Sequence, residues 1–195
     1  PKPSSAASDV YKRQGVGFPM HPHRDMEIFS YVLRGAIEHR DSLGNHAQVR
    51  PGQIQVMSAG TGVRHSEVNP SASEPLHLLQ VWILPDRAGL RPRYAEWTPT
   101  EDQRAATKVL IVSQDGREGS ARISQDVAVY RIKSAAAAVI AHTLAPGRGL
   151  WFQLIEGEAL PGTGITPERF WRGLSELLHG LGPRNRELLA RRDAL

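Results

Sequence analysis

Apolar and polar residues alternate over short runs through most of the chain, and glycine or proline turns cut one run from the next. Residues 27–33 (EIFSYVL) alternate and stop at Arg34-Gly35. Residues 36–39 open another strand, and 41–45 (DSLGN) is a hairpin loop in which Gly44 supplies the tight turn. Arg50-Pro51-Gly52 is a turn feeding residues 53–57, and 58–62 (SAGTG) is a glycine turn that delivers 63–67. The run 76–84 (LHLLQVWIL) alternates again. Turn and strand at such regular spacing predict an all-β barrel or sandwich.

Beyond residue 84 the pattern loosens. Residues 84–103 are rich in Pro, Arg and other charge, and read as a crossover lying over the surface. Residues 108–112, 127–132, 138–144 and 150–155 alternate or run apolar, punctuated by Gly116, Gly119, Pro146-Gly147 and Gly157, and predict further strands. From Pro161 the period changes. Phe170, Leu174, Leu177 and Leu178 have helical spacing, with Thr166-Pro167-Glu168 as cap and first turn.

Composition narrows this modestly. The 195 residues, 40% hydrophobic and 23% charged, make a globular chain of one or two domains. The net charge of +4 comes from Arg scattered through loops and the tail. Without a clustered basic face or a nucleic-acid motif, no specific nucleic-acid partner is expected. The absence of Cys excludes a disulfide framework and thiolate metal sites. No apolar run reaches the ~18 residues of a membrane span, and no signal-peptide core is visible, so no membrane partner is expected and the cytoplasm is the expected location.

The chemistry lies in two short motifs, His21-Pro22-His23 and His65-Ser66-Glu67. Side chains two apart on a strand share a face and start roughly 6–7 Å apart. Two imidazoles, or an imidazole and a carboxylate, can converge from there onto one cation with bonds of about 2.1 Å. Three His and one carboxylate suit one divalent first-row metal such as iron. Phe18, Met20, Phe29, Met57 and Trp82 fall on or beside the same strands. Phe18 and Met20, next to His21, are the candidate pocket wall, in the manner of an apolar small-molecule site. The remaining histidines of this stretch are expected in structural roles: His46 on the surface, His77 in a strand, and His39 as a core residue in preference to a pocket one.

At these residues the sequence resembles a known family. Gly15, then His21-x-His23-x-x-x-Glu27, is similar to the first cupin motif, and Gly52 onward, with Gly60, His65 and Asn69, to the second. HPHRDMEIFSYVLRGAIEHRDSLGN, RPGQIQVMSAGTGVRHSEVNP and LHLLQVWILPD resemble the bacterial pirins. The resemblance is dense from Gly15 to Asp86 and thinner to Glu158. It implies a bicupin of double-stranded β-helix, or jelly-roll, barrels with iron in the first. The domains expected are then 15–98, carrying the metal site, and 99–160, a partial second barrel, followed by a divergent helical tail at 161–195. His142 has no paired histidine, so no second metal is expected. Residues 1–14, small and polar, are expected outside the fold. SSAASDVYKRQ is similar to the translation of a sequencing adapter, and a frameshift or chimeric join near residue 160 is expected over a genuine interaction helix.

The resemblance also implies an activity, the opening of a flavonol of the quercetin type with O2 at Fe(II), other first-row metals being acceptable. His21, His23, His65 and Glu67 are then the ligands, with Glu67 or Glu27 taking the substrate's hydroxyl proton. The general cupin pattern nominates Glu27 as the carboxylate ligand and the pirin pattern Glu67. The two-residue spacing from His65 favours Glu67, leaving Glu27 at the pocket wall or orienting a ligating His. The competing implication is a metal-dependent regulatory module that binds a protein partner without turnover.

Overall fold

The computed structural model describes residues 5–13, 15–134 and 139–156. The chain divides into two compact units after Lys133, and the regular elements found among the described residues lie in the first. They are β1 (Ser5–Lys12), β2 (Gly17–His23), β3 (Glu27–Arg34), β4 (Ile37–Asp41), β5 (His46–Val49), β6 (Ile54–Ser58), β7 (Val63–Val68), β8 (Leu76–Ile83), β9 (Arg93–Trp97), α1 (Glu101–Ala105), β10 (Lys108–Ser113), β11 (Ala121–Arg122) and β12 (Ala128–Ile132). The fold is all-β and of the cupin type.

A five-stranded sheet in the order β1-β8-β3-β6-β9 and a four-stranded sheet in the order β2-β7-β4-β5 make the two layers. Val32 and Leu78 from the first join Ile37 and Val49 from the second in one apolar cluster, and Ile28 and Met57 meet Val63 in another. The five-stranded sheet is covered on its other face too. There Phe29, Ile54, Val56 and Trp97 pack with Val109, Ile111 and Val112 of a three-stranded sheet, β11-β10-β12. Ile28 and Phe29, adjacent in sequence, thus point into different cores. A strand covered on both faces loses the in-out alternation of accessibility, and β6 is accordingly buried at all five positions.

Turn chemistry fixes where the strands begin. Gly60 has φ +47, and a Cβ there would lie 2.0 Å from the Leu90 carbonyl oxygen, so the turn before β7 accepts no side chain. Gly17 is constrained by proximity: a Cβ would come 2.2 Å from the Glu67 carbonyl oxygen. Its bareness lets β2 lie close against β7.

The structure departs from the sequence reading in three places. Residues 1–14 are expected outside the fold, yet Ser5–Lys12 pairs antiparallel with β8 along its whole length, at the edge of the five-stranded sheet. Edge pairing needs only backbone N–H and C=O groups, so a small, polar strand can supply it. Residues 84–103, read as a crossover loop, contain β9, which pairs with β6, and the start of α1. Residues 139–156 carry no strand, although 138–144 and 150–155 have the pattern for two. Leu150, Trp151, Phe152 and Leu154 are exposed there, and an apolar alternation without a partner strand has nothing to bury against. The helical spacing at 161–195 lies outside the described residues.

Candidate metal centre

The site is laid out by strand register. β7 runs between β2 and β4, with His65 opposite His21 on one side and Asp41 on the other, and Glu67 opposite Phe18 and His39. Directly opposed residues in an antiparallel pair share a face. Alternation then adds His23 to His21 along β2, and a register shift between Phe18 and His21 seats the pair. The result is a patch of imidazoles and carboxylates on the four-stranded sheet. The facing sheet answers with amides, a hydroxyl and aromatics: Ser30, Gln55, Gln80, Trp82 and Tyr94.

Ligating atoms of His21, His23 and His65 all lie within 4.8 Å of one another, and so do those of His39, His65 and Glu67. The hydrogen-bond network decides which nitrogens carry protons. His21 Nδ1 is 2.7 Å from the Pro19 carbonyl oxygen, a pure acceptor, so Nδ1 donates and Nε2 is left as a lone pair. Asp41 Oδ2 accepts from His39 Nε2 at 3.1 Å, so His39 Nδ1 is bare and accepts from His65 Nδ1 at 3.5 Å. His65 Nε2 is then also a lone pair, and it faces His21 Nε2 at 3.1 Å. His23 Nε2 is buried with no hydrogen-bond partner. Bare Nε2 atoms of His21 and His65 at 3.1 Å repel unless a cation lies between them, and with the unpartnered His23 ring close by this donor set fits a divalent metal.

Electrostatics favour the neutral, ligating form. Burial, and then the neighbouring His21, His39 and His23, depress His65 to about 3. Burial and His21 depress His23 to about 4. Asp41 is held below its ordinary range: burial raises it, but hydrogen bonds from Asn45, His39 and Leu43 outweigh that.

Glu67 is buried beside these rings. Gln55 Nε2 and Ser30 Oγ donate to its Oε1, and Gln80 Nε2 donates to Oε2 at 2.7 Å. Both amides are themselves oriented. Tyr94 donates its hydroxyl to Gln55 Oε1 at 3.3 Å, and Trp82 Nε1 donates to Gln80 Oε1 at 3.0 Å. The two aromatics also touch the histidines: Tyr94 stacks on His39 with centroids 4.3 Å apart, and Trp82 meets His23 edge-on at 4.9 Å. Carboxylate oxygens offer about four lone-pair sites, so one on Oε2 stays available for a metal. Beneath, the Lys12 ammonium donates to the Glu67 carbonyl oxygen at 2.9 Å and sits 3.7 Å over the Phe18 ring. Burial lowers Lys12 to about 8 against the opposing pull of Glu67.

Glu27 occupies a different place. It is buried in β3, where Ser58 Oγ donates to one oxygen and the Ser124 backbone N–H to the other at 3.0 Å. None of its described hydrogen bonds reaches a histidine, so the expected role of orienting a ligating ring is not what the structure gives it. Phe18 and Met20 are 41% and 46% exposed on the edge strand β2, with the Phe18 ring 5.9 Å from His21. An open cavity of about 390 Å³ beside His23 is lined by Pro22, Arg24, Ser42, Gly62, Val63 and Arg64. His46 is on the surface and His77 stacks on Tyr11, as their strand positions suggest. His39 is the departure. Expected as a core residue, it is fully buried and in contact with His65. Asp41, Gln55, Gln80 and Tyr94 were not singled out either; the pattern of β4, with His39 and Asp41 two apart, is the signal that repeats the ligand motifs.

Comparison with known proteins agrees with this geometry. The family model described as Pirin matches residues 2–83, and that of the quercetinase C-terminal cupin domain matches 110–161. A third, the malate synthase N-terminal domain, matches 153–195. The chain is 46% identical over 143 residues to a quercetin 2,3-dioxygenase of Escherichia coli (strain K12), covering 73% of this chain and 61% of that protein. The crystal structure of YhhW from Escherichia coli aligns with a TM-score of 0.60 and 49% identity, over 64% of this chain and 52% of that one. The bacterial pirin YhhW in complex with nickel(II) aligns with a TM-score of 0.60 and 48% identity, over 65% and 53%. The chain thus spans about three-fifths of the length of the curated relative it matches.

Proposed function

The chain belongs to the pirin family, and on that premise we propose that it is a metal-dependent dioxygenase that opens a flavonol of the quercetin type with O2. The observation that carries the reading is the cluster of His21, His23 and His65, whose ligating atoms lie within 4.8 Å of one another, beside the buried Glu67 carboxylate. These four residues are the ligands in this reading, and Fe(II) is the metal. The bound ion supplies Lewis acidity that polarises a substrate hydroxyl. The relative's printed name supports the flavonol substrate, and the nickel(II) complex of the bacterial pirin supports a divalent ion of this size.

The chain's own groups do the rest. Gln55 and Gln80 hold the Glu67 carboxylate with its remaining lone pair turned to the histidines, and that lone pair would take the substrate's hydroxyl proton once Glu67 detaches from the ion. Glu27 spends its oxygens on Ser58 and the Ser124 N–H, so that proton goes to Glu67. Arg24 and Arg64 flank the cavity next to His23 and favour a substrate arriving as a phenolate.

The test is oxygen consumption by Fe(II)-loaded protein with quercetin, beside metal analysis of the same sample. Full metal content with O2 uptake that tracks quercetin loss is the expected result. Full metal content with no uptake above free Fe(II) overturns the enzyme reading and leaves a metal-dependent binding module.

A further inference from the structure

We propose that Asp41 and His39 form a one-way hydrogen-bond chain that holds His65 in the tautomer with a bare Nε2, which makes both of them positioning residues for the metal. The inference rests on the reading of His65 as a ligand and assigns a task to two residues outside the ligand set. In the usual arrangement a carboxylate or carbonyl contacts the ligating ring directly. Here a second imidazole stands between.

The direction of the chain is set at its carboxylate end. The Leu43 N–H, the Asn45 N–H and Asn45 Nδ2 donate to Asp41 Oδ1 at 2.9, 3.0 and 3.1 Å, and Asn45 Nδ2 also reaches Oδ2 at 2.9 Å. The carboxylate is therefore fixed as an acceptor on every side. His39 Nε2, at 3.1 Å, has to donate to it, with both side chains fully buried. An imidazole that donates from Nε2 and is neutral accepts at Nδ1. His65 Nδ1 stands there at 3.5 Å, and donation from it leaves Nε2 free. Tyr94, stacked on the His39 ring with an interplanar angle of 19°, holds the plane of that ring, and the hydrogen bond to Asp41 sets which nitrogen points to His65. A proton on His65 Nε2 would donate to His21 Nε2 at 3.1 Å, but it would leave the lone pairs of His65 Nδ1 and His39 Nδ1 facing each other at 3.5 Å, and this is the arrangement the chain disfavours. Asp41 thus acts on the metal through two rings.

The first measurement needs no variant. In 15N-labelled, metal-free protein, two-bond 1H–15N spectra of the histidines should show His65 protonated on Nδ1 and His39 on Nε2. His65 protonated on Nε2, or an equal mixture, overturns the proposal. The second uses Asp41→Asn. The Leu43 and Asn45 N–H groups hold the new carbonyl, so the new NH2 group faces His39 Nε2. His39 then has to reverse, its Nδ1–H opposes that of His65, and His65 moves to the Nε2–H form. Affinity for Ni(II), read by competition titration, should fall roughly 10- to 100-fold. His39→Gln should recover most of the affinity, since its carbonyl can accept from His65 Nδ1–H; a merely structural role gives no such recovery. Parent-like affinity and an unmoved His65 tautomer in folded Asp41→Asn overturn the chain. If the parent shows the stated tautomers yet binds no Ni(II), the ligand assignment falls and the chain stands. Should Asp41→Asn not fold, the parent spectra alone decide.

Discussion

Glu67 and Glu27 are both fully buried carboxylates in one unit, and their surroundings differ in a way that separates their tasks. Around Glu67 the donors are pinned. Gln80 Oε1 is taken by the Trp82 N–H, which cannot accept, so Gln80 can present only N–H groups to the carboxylate, while Gln55 Oε1 accepts from the Tyr94 hydroxyl. Around Glu27 one donor is a backbone N–H and the other a serine hydroxyl, which can rotate and accept instead. The Oε2 side of Glu67 therefore admits only an acceptor, whereas Glu27 sits where a neutral amide would fit as well. Burial does not mark the metal-facing carboxylate; donors that cannot reverse do.

The strongest way to break this contrast is to remove the imidazole that Glu67 adjoins. His65→Ala deletes the ring whose Nε2 faces His21, and the protein should lose stoichiometric metal altogether, as measured by metal analysis after dialysis against Fe(II) or Ni(II). Retention of full metal in that variant would falsify the ligand assignment. Glu67→Gln tests the pinned donors. The new amide has either to point N–H at the Gln80 N–H or to turn Gln55 and two hydroxyls around, a cost of about 1–3 kcal/mol in folding, and metal affinity should drop about 100-fold or more, beyond the range seen for supporting partners. Denaturant titration and metal competition read the two effects separately.

Acid sharpens the contrast without a mutation. His23 and His65 titrate at about 4 and about 3 in the folded protein, against 6.5 ordinarily. Between those values the unfolded chain takes up protons that the folded one refuses. Stability of the metal-free protein is therefore complete above pH 6.5 and lost as the pH falls through about 4. Chemical denaturation across that window should show the slope, and His65→Leu should make it shallower. The smallest effect is expected from Glu27→Gln. Ser58 can turn to accept from the new NH2 while its carbonyl keeps the Ser124 N–H, so stability should change by less than about 1 kcal/mol with metal content and acid slope intact. If Glu27→Gln strips the metal instead, the two carboxylates exchange roles.

Much of the site was legible because its motifs obey the strand period. His21 and His23, and His65 and Glu67, stand two apart on runs that do become β2 and β7, and the register then sets His21 opposite His65. The same logic was available for His39 and Asp41. A lone histidine in an alternating run does not reveal which face is the barrel interior, however, and that face is fixed only when β4 pairs with β7. Gln55, Gln80, Trp82 and Tyr94 come from the other sheet, at sequence separations that no local pattern records. β9 was hidden by the prolines and arginines around it; its place depends on the open edge of β6. Residues 139–156 show the converse, a strand-like alternation that forms none, since pairing is a property of neighbours as much as of sequence.

Trp82 has one more use, an optical one. Its indole ring packs 4.9 Å from the His23 ring while its N–H is tied to Gln80. A paramagnetic ion held by His23 would sit close enough to drain the excited state of that indole. Emission from Trp82 should therefore dim as the centre fills and recover on chelation, giving occupancy by light alone, with Trp82→Phe as the dark control. The purified protein thus carries its own gauge of loading, read as the part of its emission that Trp82→Phe removes.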